Sequence, residues 1–446
     1  MKKLLTIILS LLSCLSVSAQ VNVRGLPRKG FEQRIKNCID TMTIVDTHEH
    51  LVSQEGMRKS GMCDFMLLLH QYSDDDIKSS GMSKPTFETL LRDSLKVLQK
   101  WKILKPYWEN SFNTSYNRAA LLAADRLFGI KNIDGTTVTE LSSRIKQAYQ
   151  TDWYKTVLKD KCRIEFLIND DTNRSFGDKS MLRYTQRFNY FQIDSESKIA
   201  QLAKQYSAPI LTLNDLVNSL DSEFDQRMKD GFTSVKTSVA YFRSLYFEDV
   251  SKEKAEEVFN LILKNTGQNL PFETIKPLSD YMMHRMLDLA RKYGKPVQIH
   301  TGLQAGDGNI IQNSNPALLA NLFLKYRDVR FILFHGGYPY GGELASLAKN
   351  FRNVYIDLCW VYIISPSYSE RYLHEWLETI PANKIMAFGG DFENVENIYG
   401  HLLFARQVIS NVLIAKVRDG YFSESEALRV AKMILHDNAV NLFELK

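Results

Sequence analysis

The chain has 446 residues, of which 44% are hydrophobic and 24% are charged. This is the composition of an ordinary globular protein, and the length suits one large α/β barrel with an insertion, or two or three smaller domains. The net charge of +5 falls to +3 without residues 1–19, and no basic run follows, which argues against a nucleic-acid partner.

Residues 1–19 have the features of a secretory signal peptide. Two lysines precede an apolar run at 4–15, and small residues at 17–19 form a cleavage site. The apolar run is too short for a good membrane span. We therefore predict an exported protein, periplasmic or secreted, with lipid attachment at Cys14 as an alternative route. The mature chain keeps four widely spaced cysteines, so spacing alone assigns no disulfide.

Most of the chain repeats an alternation of apolar strand, loop and amphipathic helix. Eight candidate strands are predicted, at 43–50, 163–170, 190–194, 233–240, 296–300, 330–335, 354–359 and 384–388. Helix signals lie between or after them: Gly129 ends a helix predicted at 115–128, and Ser423 with Glu426 forms a capping box. The alternation predicts a parallel (β/α)8 barrel, the TIM-barrel fold. An open doubly wound sheet is the alternative, but no GxGxxG or P-loop motif accompanies the first strand.

A long stretch separates the first two predicted strands. Its helical patterns predict a helical insertion at 52–158 in the first βα loop. The mature chain, 20–446, is then a single barrel that carries this insertion. In a TIM barrel that loop lies at the face where active sites form.

The first strand carries the motif DTHEH. Because alternate residues of a strand share a face, Asp46, His48 and His50 are predicted to point one way, and Thr47 and Glu49 the other. Two imidazoles spaced in this way at a strand end can chelate one cation. An isolated HxH pair is more often structural, so the motif gains weight only from the rest of the chain.

Metal-competent side chains recur at other strand ends. His300 ends the fifth predicted strand, His335 ends the sixth, and Asp391 follows the eighth after two glycines. Barrel catalysis is located at the C-terminal ends of strands. Each residue alone could be a polar strand cap, but their recurrence predicts one shared metal site. The other histidines lack this context and are predicted to be structural or exposed: His70, His284, His374, His401 and His436.

Three cations are candidates for binding an anionic substrate. Lys236, on the fourth predicted strand, can bind an anion or be carbamylated to bridge two metals, with an ordinary salt-bridged lysine as the alternative. Arg243 and Arg406 can clamp a carboxylate, since guanidinium donates two parallel hydrogen bonds to it. Surface charge is the alternative for both arginines. The predicted substrate is a small, carboxylated molecule.

These residues, in this order, resemble the amidohydrolase superfamily. The match consists of DTHEH on strand one, HTG on strand five, HGG on strand six and GGD on strand eight, and it extends to HDNAVNLFEL near the C-terminus. It covers roughly 40–50 and 160–446. The pattern is most similar to the branch that includes amidohydrolase-related decarboxylases and uronate isomerase, and the insertion is similar to that of uronate isomerase.

The resemblance implies a TIM barrel with one divalent metal, usually Zn²⁺, with Mn²⁺ or Fe²⁺ as alternatives. His48, His50, His300 and Asp391 would be its ligands, and His335 would face the substrate or the activated water. Lys236 would line the pocket without forming a bridging carbamate, because the rest of the pattern is that of single-metal members. A homo-oligomer is left open.

The predicted activity is hydrolysis of an amide, ester or lactone through a metal-activated water. Asp391 would accept the proton of that water, and the metal with His335 would polarise the scissile carbonyl. Uronate isomerisation is the alternative, favoured by the insertion, although export fits an intracellular sugar isomerase poorly; metal-dependent decarboxylation is the third. An inactive barrel that only binds ligands is disfavoured by the intact set of ligands, and a serine hydrolase by the absence of GxSxG.

Overall fold

The computed structural model describes residues 29–92, 94–170 and 179–446; the predicted signal peptide and Cys14 lie outside this part of the chain. Eight strands form one parallel sheet in sequence order. They are β1 (Ile44–Glu49), β2 (Ile164–Asn169), β3 (Leu182–Arg187), β4 (Ser234–Thr237), β5 (Val297–Ile299), β6 (Phe331–Leu333), β7 (Val354–Asp357) and β8 (Ile385–Met386).

The segment that follows β8 closes the sheet against β1. Thr47 N donates to Phe388 O at 3.0 Å, and Asp391 N donates to His48 O at 2.9 Å. These bonds occupy backbone groups that would otherwise form two free sheet edges. The predicted (β/α)8 barrel is confirmed.

Helices cover the outside of the barrel and form the insertion between β1 and β2. They are α1 (Phe31–Thr41), α2 (Gln54–Lys59), α3 (Tyr72–Ser79), α4 (Lys84–Leu90), α5 (Val97–Ser111), α6 (Ser115–Phe128), α7 (Val138–Ala148), α8 (Trp153–Lys155), α9 (Glu196–Tyr206), α10 (Leu213–Lys229), α11 (Lys252–Lys264), α12 (Phe272–Lys292), α13 (Ala320–Lys325), α14 (Gly341–Asn350), α15 (Val361–Ile364), α16 (Pro366–Thr379), α17 (Val395–Arg418), α18 (Glu424–Lys432) and α19 (Asn438–Phe443). Two π-helical turns, Thr156–Lys161 and Met433–Asp437, follow α8 and α18.

Seven of the eight predicted strands coincide with observed ones, and the third is wrong. The segment 190–194 is a loop whose large side chains are buried, which explains its apolar pattern. The true β3 has the sequence LRYTQR and lacks the apolar run expected of a buried parallel strand. Its buried Thr185 is satisfied inside the barrel, because its hydroxyl donates to Ser234 O at 2.8 Å.

The stretch between β1 and β2 is helical, from α2 to the π-helical turn at Thr156–Lys161. It packs on the barrel mainly through α6 and α17. Trp153 Nε1 and Tyr149 Oη donate to the buried carboxyl of Glu396 in α17, at 2.8 and 3.2 Å. Burial raises the pKa of Glu396 to about 7 despite these two bonds. Helix α17 is long and apolar enough to cross a membrane, but 61% of its apolar stretch is buried inside the fold, as in the core helix of a folded domain.

Candidate metal centre

The predicted ligands lie together at the C-terminal ends of four strands. His48 is in β1 and His50 directly follows it; His300 directly follows β5; His335 and Asp391 lie in the turns after β6 and β8. His335 and Asp391 both have a φ of 64°, in the left-handed region that non-glycine residues rarely adopt. Such strained positions concentrate at functional sites, where the surrounding structure holds them.

Asp391 is the residue that joins this group. Its Oδ1 lies 3.3 Å from His48 Nε2 and 3.2 Å from His50 Nε2, and its Oδ2 lies 4.0 Å from His335 Nδ1. Burial alone would raise the pKa of Asp391, but the hydrogen bond from His50 and the neighbouring rings of His48 and His335 outweigh burial and hold the pKa well below its usual range. Asp391 is therefore an ionised carboxylate in a buried site.

His300 and His335 form a contact that a cation would satisfy. His300 Nε2 lies 2.8 Å from Leu303 O, and His335 Nδ1 lies 3.1 Å from Cys359 O. Both carbonyls can only accept, so these two nitrogens carry the ring protons. The other nitrogens, His300 Nδ1 and His335 Nε2, then face each other at 2.9 Å with lone pairs only.

An additional proton could satisfy that contact, but burial opposes it. Burial lowers the pKa of His335 to about 4 and that of His300 well below its usual value, so both rings are neutral near pH 7. Neutral imidazole nitrogens beside a carboxylate are the donors that Zn²⁺ and related cations prefer. The residues present therefore fit a divalent cation.

A second carboxyl pair lies beneath the centre. The carboxyls of Asp46 and Glu49 are close enough that, besides burial, Asp46 raises the pKa of Glu49, although strict alternation predicted that they point to opposite faces. The pairing of β1 with β2 shifts in register between these two residues, which breaks the alternation. Burial raises the pKa of Asp46 to about 7 and that of Glu49 well above its usual value. A Cβ at Gly390 would collide with the Glu49 carboxyl, so glycine is required next to Asp391.

Lys236 borders the centre on the side of β4. Its Nζ lies 3.4 Å from His48 Nε2 and 3.9 Å from the centroid of the Phe334 ring. Burial and the neighbouring charge of Arg187 lower the pKa of Lys236 to about 8. Lys236 and Arg187 both line a cavity of about 290 Å³. Arg187 Nε donates to Asp170 Oδ2 at 2.6 Å, and Asp170 Oδ2 lies 3.8 Å from His48 Nε2.

The structure does not bring Arg243 or Arg406 to the centre, and the prediction that they clamp a substrate carboxylate is corrected here. Arg243 is buried, and it donates to Asp280 Oδ1 at 2.6 Å and to Ser279 Oγ at 2.8 Å. Arg406 lies in α17, and its Nη2 donates to Met42 O and Cys162 O, which precede β1 and β2. Both guanidinium groups therefore form hydrogen bonds within the fold instead of facing a substrate.

Sequence reasoning missed three groups at the centre. Asp170 directly follows β2, so its strand-end position was a usable signal. Arg187 could not be recognised as a strand-end residue, because the third strand was predicted at 190–194 and not at β3. The contacts of the insertion had no local signal: Tyr72 Oη and Gln71 Nε2 donate to the backbone oxygen of Asp391 at 2.7 and 3.0 Å.

His401 proves to be a neighbour of the centre rather than a ligand. It is buried in α17, and its Nδ1 donates to Gly390 O at 3.1 Å. Burial lowers the pKa of His401 to about 3, so it is a neutral hydrogen-bond donor. It helps to position the backbone that carries Asp391.

The amidohydrolase family model matches residues 245–445, which contain His300, His335 and Asp391. Over these residues, somewhat less than half of the chain, this protein resembles the amidohydrolase superfamily. The match indicates an enzyme, and together with the donor groups at the strand ends it indicates metal dependence. A curated relative, Protein fluG from Emericella nidulans, is 28% identical over 256 residues, which are 54% of this chain and 29% of the relative. The chain thus spans less than a third of that relative's length.

Solved structures share the fold over nearly the whole chain. Uronate isomerase from Thermotoga maritima has a TM-score of 0.77 at 18% identity, with 93% of this chain and 97% of that chain covered. Glucuronate isomerase from Caulobacter crescentus has a TM-score of 0.74 at 17% identity, covering 94% and 96%. A metal-dependent hydrolase from Lactobacillus casei has a TM-score of 0.63 at 18% identity, covering 94% and 98%. At these identities the similarity shows the fold.

Proposed function

We propose that this amidohydrolase hydrolyses a small anionic amide, ester or lactone, with one divalent cation, Zn²⁺ first among the candidates, held by His48, His50, His300 and Asp391. The observation that carries the proposal is the ionised Asp391 carboxylate, whose Oδ1 is shared by two imidazoles. A cation bound there would polarise a carbonyl and make a bound water more acidic.

The chain's own residues have separate roles in this reaction. Asp391 Oδ1 is engaged by His48 and His50, which leaves Oδ2 as the oxygen that accepts the proton of the attacking water. His335 lies beside Oδ2, and its ring borders the space in which the carbonyl is attacked. The ring of Trp360 packs edge-on against His335, with centroids 5.1 Å apart, and helps to keep this side of the site dry.

The anionic part of the substrate fits the cavity beside the centre. Lys236 and Arg187 line it, together with Ser238, whose Oγ accepts a hydrogen bond from Arg187 Nη1 at 2.8 Å. The ammonium group of Lys236 and the guanidinium group of Arg187 lie at one wall of the cavity. Together they favour the binding of a carboxylate, which can accept a charge-assisted hydrogen bond from each. Lys236 remains an unmodified amine in this proposal, as in the sequence analysis. Arg187 has the role of binding the substrate carboxylate, which the sequence analysis assigned to Arg243 and Arg406.

Uronate isomerisation is the second candidate. The fold match with two uronate isomerases covers at least 93% of this chain, so it includes the insertion, whose Tyr72 reaches the backbone of Asp391. In that reaction the same cavity would bind the uronate carboxylate, and a base would move a proton between neighbouring carbons.

Isotope tracing separates the two candidates. The purified protein is incubated with lactones, amides, uronates and carboxylated aromatics in ¹⁸O-labelled water and, separately, in heavy water. Hydrolysis puts ¹⁸O into the product. Isomerisation puts deuterium on carbon or shuffles hydrogen internally, and either result with a uronate would replace the hydrolase proposal. Release of carbon dioxide without either label would indicate decarboxylation instead.

A further inference from the structure

A buried thiol lies at the centre and has no part in the proposed reaction. Cys359 follows β7 and is fully buried. Donor atoms of Cys359, His335 and Asp391 all lie within 4.8 Å of one another. Within the described part of the chain, the Cys359 sulfur makes no hydrogen bond. A sulfur, a nitrogen and an oxygen donor thus lie close together in one buried site.

The backbone fixes the position of this thiol. Cys359 N donates to Asp357 Oδ1 at 2.8 Å, and Cys359 O accepts from His335 Nδ1 at 3.1 Å. Gly389 lies against it, where a Cβ would come within 2.9 Å of both Cβ and Sγ of Cys359. Any side chain at position 389 would therefore push the thiol away, and glycine leaves it beside the ligands.

Asp391 divides the donors into two groups. Its Oδ1 faces the His48 and His50 nitrogens at 3.3 and 3.2 Å. Its Oδ2 faces His335, at 4.0 Å from Nδ1, on the side where Cys359 lies. The first group contains only nitrogen and oxygen, and the second adds sulfur. One carboxylate can serve both groups, because each oxygen has two lone pairs, and Oδ2 keeps one of them for the proton of the attacking water.

We propose that Cys359 is a sulfur ligand for a thiophilic divalent cation held with His335 and Asp391, beside the position formed by His48 and His50. The inference rests on the proposed metal centre and adds a ligand that hydrolysis does not require. Thiolate ligands favour Zn²⁺ and related cations over Mg²⁺ or Mn²⁺. When the sulfur–metal bond forms, the thiol S–H bond breaks and its proton passes to solvent.

The distances allow this with small side-chain movements. Tetrahedral sites with metal–nitrogen bonds of ~2.0 Å and metal–sulfur bonds of ~2.3 Å place neighbouring donors roughly 3.3 to 3.6 Å apart. The separations of 4.0 to 4.8 Å therefore need to close by about 1 Å, within the reach of a side-chain torsion. His335 Nδ1 would exchange its bond to Cys359 O for the cation, and its ring proton would move to Nε2, so that the ring stays neutral.

A buried cysteine is more often an inert apolar side chain, and Cys162 represents that case. It is also fully buried, but it precedes β2 at the opposite end of the barrel, where its carbonyl accepts from Arg406. Among the described residues, Cys162 belongs to no group of metal-competent donors. Cys162→Ser is therefore the matched control for Cys359→Ser.

The test is a Co²⁺ titration of the metal-free full-length protein, followed by absorption spectroscopy. A thiolate bound to Co²⁺ gives an intense near-ultraviolet charge-transfer band. We expect this band in the wild type and in Cys162→Ser, and its loss in Cys359→Ser, which keeps the weaker visible bands of the nitrogen and oxygen position. X-ray absorption of the Zn²⁺-loaded wild type needs no variant and should show a zinc–sulfur distance of ~2.3 Å.

Co²⁺ binding without a charge-transfer band in the wild type, together with a zinc shell free of sulfur, would overturn the inference and leave the proposed function intact. A band that survives in Cys359→Ser would overturn it as well. If the wild type binds neither cation, the proposed metal centre fails, and this inference fails with it.

Discussion

The barrel and the helical insertion contribute to the centre in different ways. The barrel supplies the donor side chains, each at the C-terminal end of a strand. The insertion supplies no ligand from its described residues, but Tyr72 and Gln71 bond to the backbone oxygen of Asp391. Under the proposed function, the reaction depends on the barrel, while the insertion helps to position Asp391. Substitutions in the two regions should therefore differ in size and in kind.

The largest effect is expected at the barrel carboxylate. Asp391→Asn removes the negative charge and the proton acceptor, so kcat should fall by roughly 10² to 10⁴. Metal content should fall as well, because the amide is a weaker ligand. Steady-state kinetics and metal analysis check both, with the exposed Asp328→Asn as control. Unchanged kcat in Asp391→Asn would remove this residue from the reaction.

The cavity beside β3 and β4 should affect substrate binding more than turnover. Lys236→Gln and Arg187→Gln each remove a charge-assisted hydrogen bond, which should raise KM for a carboxylated substrate by roughly 10-fold to 100-fold. A neutral analogue should be affected much less. Lys325→Gln, which breaks an exposed ion pair with Asp249, is the control. Equal effects on both substrates would argue against an anion site here.

The insertion should show a smaller effect at Tyr72. Tyr72→Phe keeps the ring stacked on Trp360, at a centroid distance of 4.5 Å, but removes the bond to Asp391 O. Loss of one such bond costs about 1 kcal/mol, so kcat should fall roughly 5-fold to 10-fold with metal content unchanged. Tyr116→Phe is the matched control, since Tyr116 belongs to the same stack. If both variants behave alike, the bond to Asp391 is unimportant.

The contact between the insertion and α17 should depend on pH. The pKa of Glu396 is raised to about 7 in the folded protein, above the value of an unfolded carboxyl, so folding retains a proton that unfolding releases. The contribution of Glu396 to stability is fully present below about pH 4 and is lost as the pH rises through about 7.

Glu396→Gln tests this contribution because the amide cannot ionise, its oxygen still accepts from Trp153, and its NH2 group can donate to Tyr149 Oη. Relative to the wild type, the variant should gain up to about 3 kcal/mol of unfolding free energy between pH 4 and pH 8. Denaturant unfolding at both pH values measures the difference, with exposed Glu88→Gln as the control. A difference that does not change with pH would contradict the assignment.

The metal-competent side chains were predictable because one rule governs them. The barrel pattern locates the strand ends, and His48, His50, His300, His335 and Asp391 all lie there. The roles of arginine side chains were less predictable, since a long side chain can place its guanidinium group either at the open end of the barrel or inside the fold. Arg243 turns towards Asp280, a partner 37 positions away that no local pattern reveals.

Two further differences came from the backbone. The polar β3 lacks the apolar run that marks a buried strand. The third strand was therefore predicted in the apolar loop at 190–194, and Arg187 at the end of β3 was overlooked. The register shift in β1 brings Asp46 and Glu49 together. A prediction that assumes strict alternation of side chains along a strand cannot include such a shift. Both arise from tertiary contacts, which the sequence specifies only through distant segments.

The most direct test of the account is the metal content of the purified, dialysed protein, measured for the wild type and for the double variant His48→Ala, His50→Ala. We expect at least one equivalent of a divalent metal, chiefly zinc, in the wild type, and the loss of at least one equivalent in the double variant with folding retained by circular dichroism. Chelation of the wild type should abolish activity, and added Zn²⁺ should restore it. Equal metal content in the two proteins, with activity that survives chelation, would contradict the metal centre.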